Sequence, residues 1–142
     1  MPRSTATAIW DGKLKDGGGQ FSAGSGAFRG TYTFATRFEG ATGTNPEELL
    51  AAAHAACFSM ALAAGLEKAG TPATRVATLA SCTIDMVDGS PKITTMRLEV
   101  RGKVPGLPRD AFVKAAQSAK DNCPVSKALK GNVAFELDAR LE

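Results

Sequence analysis

Few of the residues that announce a function are present: the 142-residue chain holds one histidine, one tryptophan, one tyrosine and three cysteines. Cys57, Cys82 and Cys123 lie 25 and 41 residues apart. They form neither an even-numbered disulfide framework nor a C-x-x-C pair, which in a reducing compartment points to chemistry or packing. Charge of one sign is also scarce, with 17 Lys+Arg against 14 Asp+Glu and a net charge of +3. No basic cluster is denser than Lys13-Leu14-Lys15, so nucleic acid is not an expected partner. No apolar leader follows the polar start Met1-Pro2-Arg3-Ser4-Thr5, and the expected location is cytoplasmic. The glycines never fall into G-x-G-x-x-G or a phosphate-binding loop, so Asp16-Gly17-Gly18-Gly19 reads as a hairpin turn.

What is present is an ordinary globular composition, 44% apolar and 22% charged, which excludes a disordered or collagen-like chain and fits one domain over residues 1–142. Of the roughly 62 apolar residues that this percentage implies, 25 are alanine, leaving about 37 large enough to build a core. So thin a core would gain from apolar surface shared with a second copy.

Residues 4–10 and 31–36 read as strands separated by the turns Asp11-Gly12, Asp16-Gly17-Gly18-Gly19 and Gly24-Ser25-Gly26. Asn45-Pro46-Glu47-Glu48 is a helix start, with Asn45 as N-cap, Pro46 at the first helical position and Glu48 closing a capping box. That helix runs to 68–69, where Gly70-Thr71-Pro72 stops it. Residues 49–66 are almost wholly apolar and about long enough to span a bilayer, but they are mostly alanine and include His54 and Ser59. The expectation is a core helix buried on most faces, and no membrane. Residues 76–87 and 93–104 flank Asp88-Gly89-Ser90-Pro91 as a long hairpin. Residues 108–121 form an amphipathic helix with Phe112, Ala115, Ala116 and Ala119 inward. Cys123-Pro124 begins a short helix, and residues 132–141 close the chain as a strand. The order βββ-α-ββ-α-α-β is an α+β arrangement.

Four stretches carry a resemblance. Thr36-Arg37-Phe38-Glu39-Gly40, Gly43-Thr44-Asn45-Pro46-Glu47-Glu48-Leu49-Leu50, Ala52-Ala53-His54-Ala55-Ala56-Cys57-Phe58-Ser59-Met60-Ala61-Leu62 and Asn122-Cys123-Pro124-Val125-Ser126 closely resemble the OsmC/Ohr family of osmotically inducible protein C and organic hydroperoxide resistance proteins, the OsmC branch best. The resemblance implies an OsmC-like fold, with a β-meander and hairpin sheets around a central buried helix, in an intertwined homodimer. It further implies a thiol-dependent peroxidase of the stress response that reduces organic hydroperoxides. Cys57 matches the peroxidatic nucleophile and Cys123 the cysteine that resolves it, while Arg37 and Glu47 complete the site. The implied Cys57–Cys123 disulfide is reopened by an external dithiol, a reductant protein or dihydrolipoyl group, and no metal, haem, flavin or nicotinamide is required.

Read without the family, the residues are less decisive. Cys123 precedes Pro124 at a helix start, where backbone N–H groups favour a thiolate, so local sequence nominates it as the nucleophile; the family reverses that choice. Cys57 lies about ten residues into an apolar helix, where burial disfavours the thiolate and the helix dipole is distant. It needs a cation. Arg37 suits that role because guanidinium stays charged when desolvated and can donate to sulfur and peroxide oxygen alike, although by itself it reads more readily as a surface arginine at a strand end. Glu47 reads equally as a partner for Arg37 and as a favourable charge in the first helical turn. His54, three residues before Cys57, shares its helix face and suits either a Cys–His pair or, more commonly, a hydrogen-bonded structural role. Cys82 reads as a small buried hydrophobe on a strand.

Glu47 and Cys57 are ten residues apart on one helix, about 15 Å along its axis. Both can serve one peroxide only if Glu47 comes from another subunit. Two other readings are a non-catalytic OsmC-like stress or ligand-binding protein and a zinc site built from His54, Cys57, Cys82 and Cys123. The zinc reading lacks the two short-spaced ligand pairs that structural zinc sites usually supply.

Overall fold

Alternating β-formers broken by glycine-rich turns give three short strands, β1 (Ala6–Asp11), β2 (Gly18–Ala23) and β3 (Arg29–Tyr32), paired antiparallel in that order. A computed structural model describes residues Met1–Glu142, and the chain divides into two compact units, Met1–Leu49 and Leu50–Glu142. In the first unit, two expectations are corrected. Gly18 and Gly19 belong to β2 rather than to the turn. A side chain at Gly19 would run into the rings of Tyr32 and Trp10, which stack with centroids 5.5 Å apart. Glycine here makes room for an aromatic layer that continues to Phe21, 5.8 Å from Tyr32. Residues 31–36 are not one strand, because β3 ends at Tyr32 and α1 (Phe34–Phe38) follows. Thr33 caps that helix: its Oγ1 accepts from the Thr36 N–H at 3.1 Å, and its own N–H donates to Thr36 Oγ1 at 2.9 Å. The threonines that favour a strand by propensity serve as a reciprocal cap instead.

Helix α2 (Pro46–Lys68) spans the expected residues. Asn45 Oδ1 accepts from the Glu48 N–H at 2.8 Å, and Asn45 Nδ2 donates to the Thr36 carbonyl at 2.9 Å. At the other end Gly70 takes φ +83°, while the Thr71 and Gly70 N–H groups close back on Leu66 and Glu67 carbonyls at 2.9 and 3.0 Å. This is a Schellman stop.

In the second unit, β4 (Arg75–Val87) and β5 (Ser90–Lys103) form the expected hairpin. Its tip is Asp88-Gly89, both at positive φ (51° and 78°), the two-residue turn whose twist matches the strands. β6 (Ala134–Leu141) joins β5 in parallel, which requires a crossover. Helices α3 (Arg109–Asn122) and α4 (Pro124–Leu129) supply it. One core results: Phe58, Leu62 and Leu66 of α2, Met96, Leu98 and Val100 of β5, and Phe112, Ala116 and Ala119 of α3, all buried together with Cys123. Each large side chain there contributes about 1.5–3 kcal/mol.

Helix α2 departs from the expectation of burial on most faces. His54, Phe58, Leu62 and Leu66, four apart, form a single buried stripe, whereas Ala52, Ala53, Ala56, Ala63 and Ala64 are exposed and Met60 is 76% exposed. The helix is apolar all round, but one chain covers only one side of it.

Gly102 lies on the buried face of β5, where an added Cβ would collide with the Phe112 ring. Gly102→Ala is therefore expected to lower unfolding stability by about 1–3 kcal/mol, read as a lower urea midpoint. Combining it with Phe112→Leu should cost less than the sum of the two single changes.

Candidate active site

The residue before a proline is driven to extended backbone. Cys123 accordingly sits at φ −65°, ψ 142° between α3 and α4, ending the first and capping the second. Its N–H donates to the Ala119 carbonyl at 3.0 Å, and its Sγ accepts from the Ser126 N–H at 3.4 Å. The side chain is fully buried.

Cys57, half-buried on α2, is brought to this junction. Its thiol lies beside that of Cys123 and the backbone N–H of Val125. Burial pushes the Cys57 thiol above its ordinary value; the Val125 amide opposes this, while the hydrogen bond and charge of Cys123 add to it. The start of α2 is distant from Cys57, and the Val125 amide comes instead from the first turn of another helix, which local sequence around Cys57 does not reveal. None of the three cysteines is in a disulfide.

His54, one turn before Cys57, is fully buried. Its Nε2 is 2.7 Å from Ser126 Oγ, and that hydroxyl is 3.1 Å from Cys123 Sγ. The ring meets Phe135 edge-on, centroids 5.4 Å apart, and burial holds the imidazole below its ordinary pKa. The expected hydrogen-bonded histidine is thus satisfied at one nitrogen only, since Nδ1 is buried without a partner. Sequence reasoning did not single out Ser126, although its place in Cys123-Pro124-Val125-Ser126, three residues after a helix cap, was a readable signal.

The other two predicted residues meet within the first unit. Arg37 Nε donates to Glu47 Oε1 and Oε2 at 3.0 and 3.3 Å, and Nη2 to Oε1 at 2.7 Å. The Glu47 side chain is only 6% exposed against 36% for Arg37, and the guanidinium lies 5.3 Å from the Phe38 ring centroid. Glu48 is exposed, and its backbone N–H donates to the Asn45 cap. Cys82 is half-buried on β4, across from Met96. No group of three or more His, Cys, Asp or Glu side chains is placed to hold a metal ion.

The model of one family, described as "OsmC-like protein", matches residues 39–138. The chain is 45% identical over 130 residues to "Peroxiredoxin OsmC" of Escherichia coli, covering 91% of each. It is 37% identical over 103 residues to "Organic hydroperoxide resistance protein OhrB" of Bacillus subtilis, covering 72% of this chain and 74% of that one. The crystal structure of that OhrB superimposes with a TM-score of 0.72 at 30% identity, over 96% of this chain and 98% of the other.

Because Cys123 raises the Cys57 thiol both by its hydrogen bond and by its charge, Cys123→Ala should move the Cys57 titration to lower pH. The rate of Cys57 alkylation against pH, followed on its own peptide by mass spectrometry, checks the direction of the shift.

Proposed function

The chain belongs to the OsmC-like protein family, and on that premise we propose that it is a thiol-dependent peroxidase reducing organic hydroperoxides to alcohols. The observation that carries this reading is the neighbouring pair of cysteines, Cys57 from α2 and Cys123 from the α3–α4 junction. Their unequal burial supports the order of events: Cys57 is half-buried and reachable, whereas Cys123 is fully enclosed.

Cys57 thiolate attacks the distal oxygen of ROOH. The O–O bond breaks, the leaving alkoxide is protonated to ROH, and Cys57 is left as a sulfenic acid. Cys123 then displaces water to give a Cys57–Cys123 disulfide. An external dithiol, of lipoyl type by family resemblance, reopens it through a mixed disulfide. No metal, haem, flavin or nicotinamide enters the scheme. The apolar side chains around the site favour an organic peroxide.

A thiol raised by desolvation needs a cation to ionise, and Arg37 with its Glu47 is the proposed source. Glu47 and Cys57 lie ten residues apart on the unbroken helix α2, about 15 Å, so the pair serving one Cys57 is proposed to come from a second copy. The exposed alanine face of α2 with Met60 supports a homodimer, because an apolar surface of that kind calls for a partner.

Cys57→Ser should abolish peroxide turnover, Cys123→Ser should permit a single oxidation of Cys57, and Cys82→Ser should leave turnover nearly unchanged. Mass spectrometry after one equivalent of organic peroxide is expected to find the Cys57–Cys123 link; a dominant link to Cys82 would overturn the assignment.

Assembly is tested by complementation. Cys57→Ser and Glu47→Ala homodimers, each inactive alone, should regain activity when unfolded and refolded together, since a mixed dimer holds one intact site. Mixed dimers seen by native mass spectrometry without activity would return Glu47 to the role of a helix-start charge.

A further inference from the structure

We propose that His54 and Ser126 form a proton relay that activates Cys123 for disulfide formation. The inference rests on the peroxidase reading above and adds two residues to its second step.

Attack by Cys123 on a sulfenic acid requires its S–H proton to leave, yet Cys123 is fully buried and cannot hand that proton directly to bulk water. Its Sγ lies 3.1 Å from Ser126 Oγ, which in turn lies 2.7 Å from His54 Nε2. The chain of atoms from thiol to imidazole is therefore continuous. A histidine serving only to fill the core would be expected to satisfy both ring nitrogens or be replaced by an apolar residue, because an unpaired buried polar atom is costly. His54 keeps Nδ1 buried and without a partner. Its surroundings suit a base: Phe135 on β6 packs against the ring, and Ser126 on α4 takes Nε2. The titratable groups near it are the Cys57 thiol one turn along α2 and the Cys123 thiol behind Ser126. No ion pair involves it, and burial pushes its pKa down.

Cys123 S–H gives its proton to Ser126 Oγ as the Ser126 hydroxyl proton passes to His54 Nε2. Cys123 Sγ bonds to Cys57 Sγ, the S–O bond of the sulfenic acid breaks, and the expelled hydroxide takes a proton from solvent at the half-buried Cys57. The products are water, the Cys57–Cys123 disulfide and an imidazolium that holds the relayed proton. The peroxide already reduced is the only oxidant. When the disulfide is later reduced, the departing Cys123 thiolate recovers its proton along the same path.

The test separates the two steps. Reduced full-length protein is mixed with one equivalent of cumene hydroperoxide and quenched at intervals with a cyclic 1,3-dione that traps sulfenic acid, and the adduct and disulfide are counted by mass spectrometry. Ser126→Ala and His54→Gln should oxidise Cys57 at the wild-type rate but form the disulfide about 100-fold more slowly, with the double variant no slower than either single one. The wild-type rate of disulfide formation should be level from pH 7 to 9 and fall below the imidazole pKa, whereas the variants should climb about tenfold per pH unit as hydroxide takes over. Wild-type rates that climb through the thiol range overturn the relay, whatever the variants do, as do variants that resolve at the wild-type rate. Failure of the wild type to form any Cys57–Cys123 disulfide overturns the underlying peroxidase scheme instead.

Discussion

Ten residues of uninterrupted helix separate Glu47 from Cys57, and a helix is a rod that cannot be folded back on itself. Its rise places the two about 15 Å apart whatever the loops around them do. The structure accordingly holds two separate constellations: Arg37 gripped by a buried Glu47 at the start of α2, and Cys57, Cys123, Ser126 and His54 gathered around its middle. The proposed second copy is what this rod demands if all four family residues act on one peroxide. The uncovered alanine face of the same helix supplies the surface for it.

The second constellation depends on one backbone conformation. Pro124 holds Cys123 extended, and that residue then ends α3, caps α4 and directs its sulfur inward. The turn that follows aims the Val125 N–H at Cys57 and the Ser126 hydroxyl at both Cys123 and His54. One non-helical residue, Cys123, and the first turn of α4 thus place a thiol, a hydroxyl and an amide donor beside Cys57. Burial works against the Cys57 thiolate there, and it also strengthens each hydrogen bond that remains. The conflict between desolvation and ionisation is one that a guanidinium could resolve, since it keeps its charge out of water.

Much of this was legible in the sequence. The α2 boundaries, the Asn45 cap, the Gly70 stop, the hairpin around Asp88-Gly89 and the inward face of α3 all follow from local rules, because caps, positive-φ turns and helical periodicity are encoded within a few residues. The four proposed site residues rest on family resemblance rather than on spacing. On its own chemistry Cys123 looked like the nucleophile, since a helix start is visible locally and burial is not. Where local propensity competed with packing it misled: Thr33 and Thr36 turned from strand to helix cap, and Gly18-Gly19 became strand, with Gly19 under the Trp10 and Tyr32 rings.

What only the tertiary structure decided is the set of contacts between residues far apart in the chain. His54 and Ser126 are 72 positions apart, and no periodicity couples them. The Val125 amide reaches Cys57 because α3 and α4 cross back to set β6 parallel to β5. The apolar circumference of α2 could be read from its residues, but which side one chain would cover depended on where the sheet and α3 lay. Local sequence sets the dihedral angles of each element, whereas long-range contacts depend on how those elements pack, and that packing is a property of the whole chain.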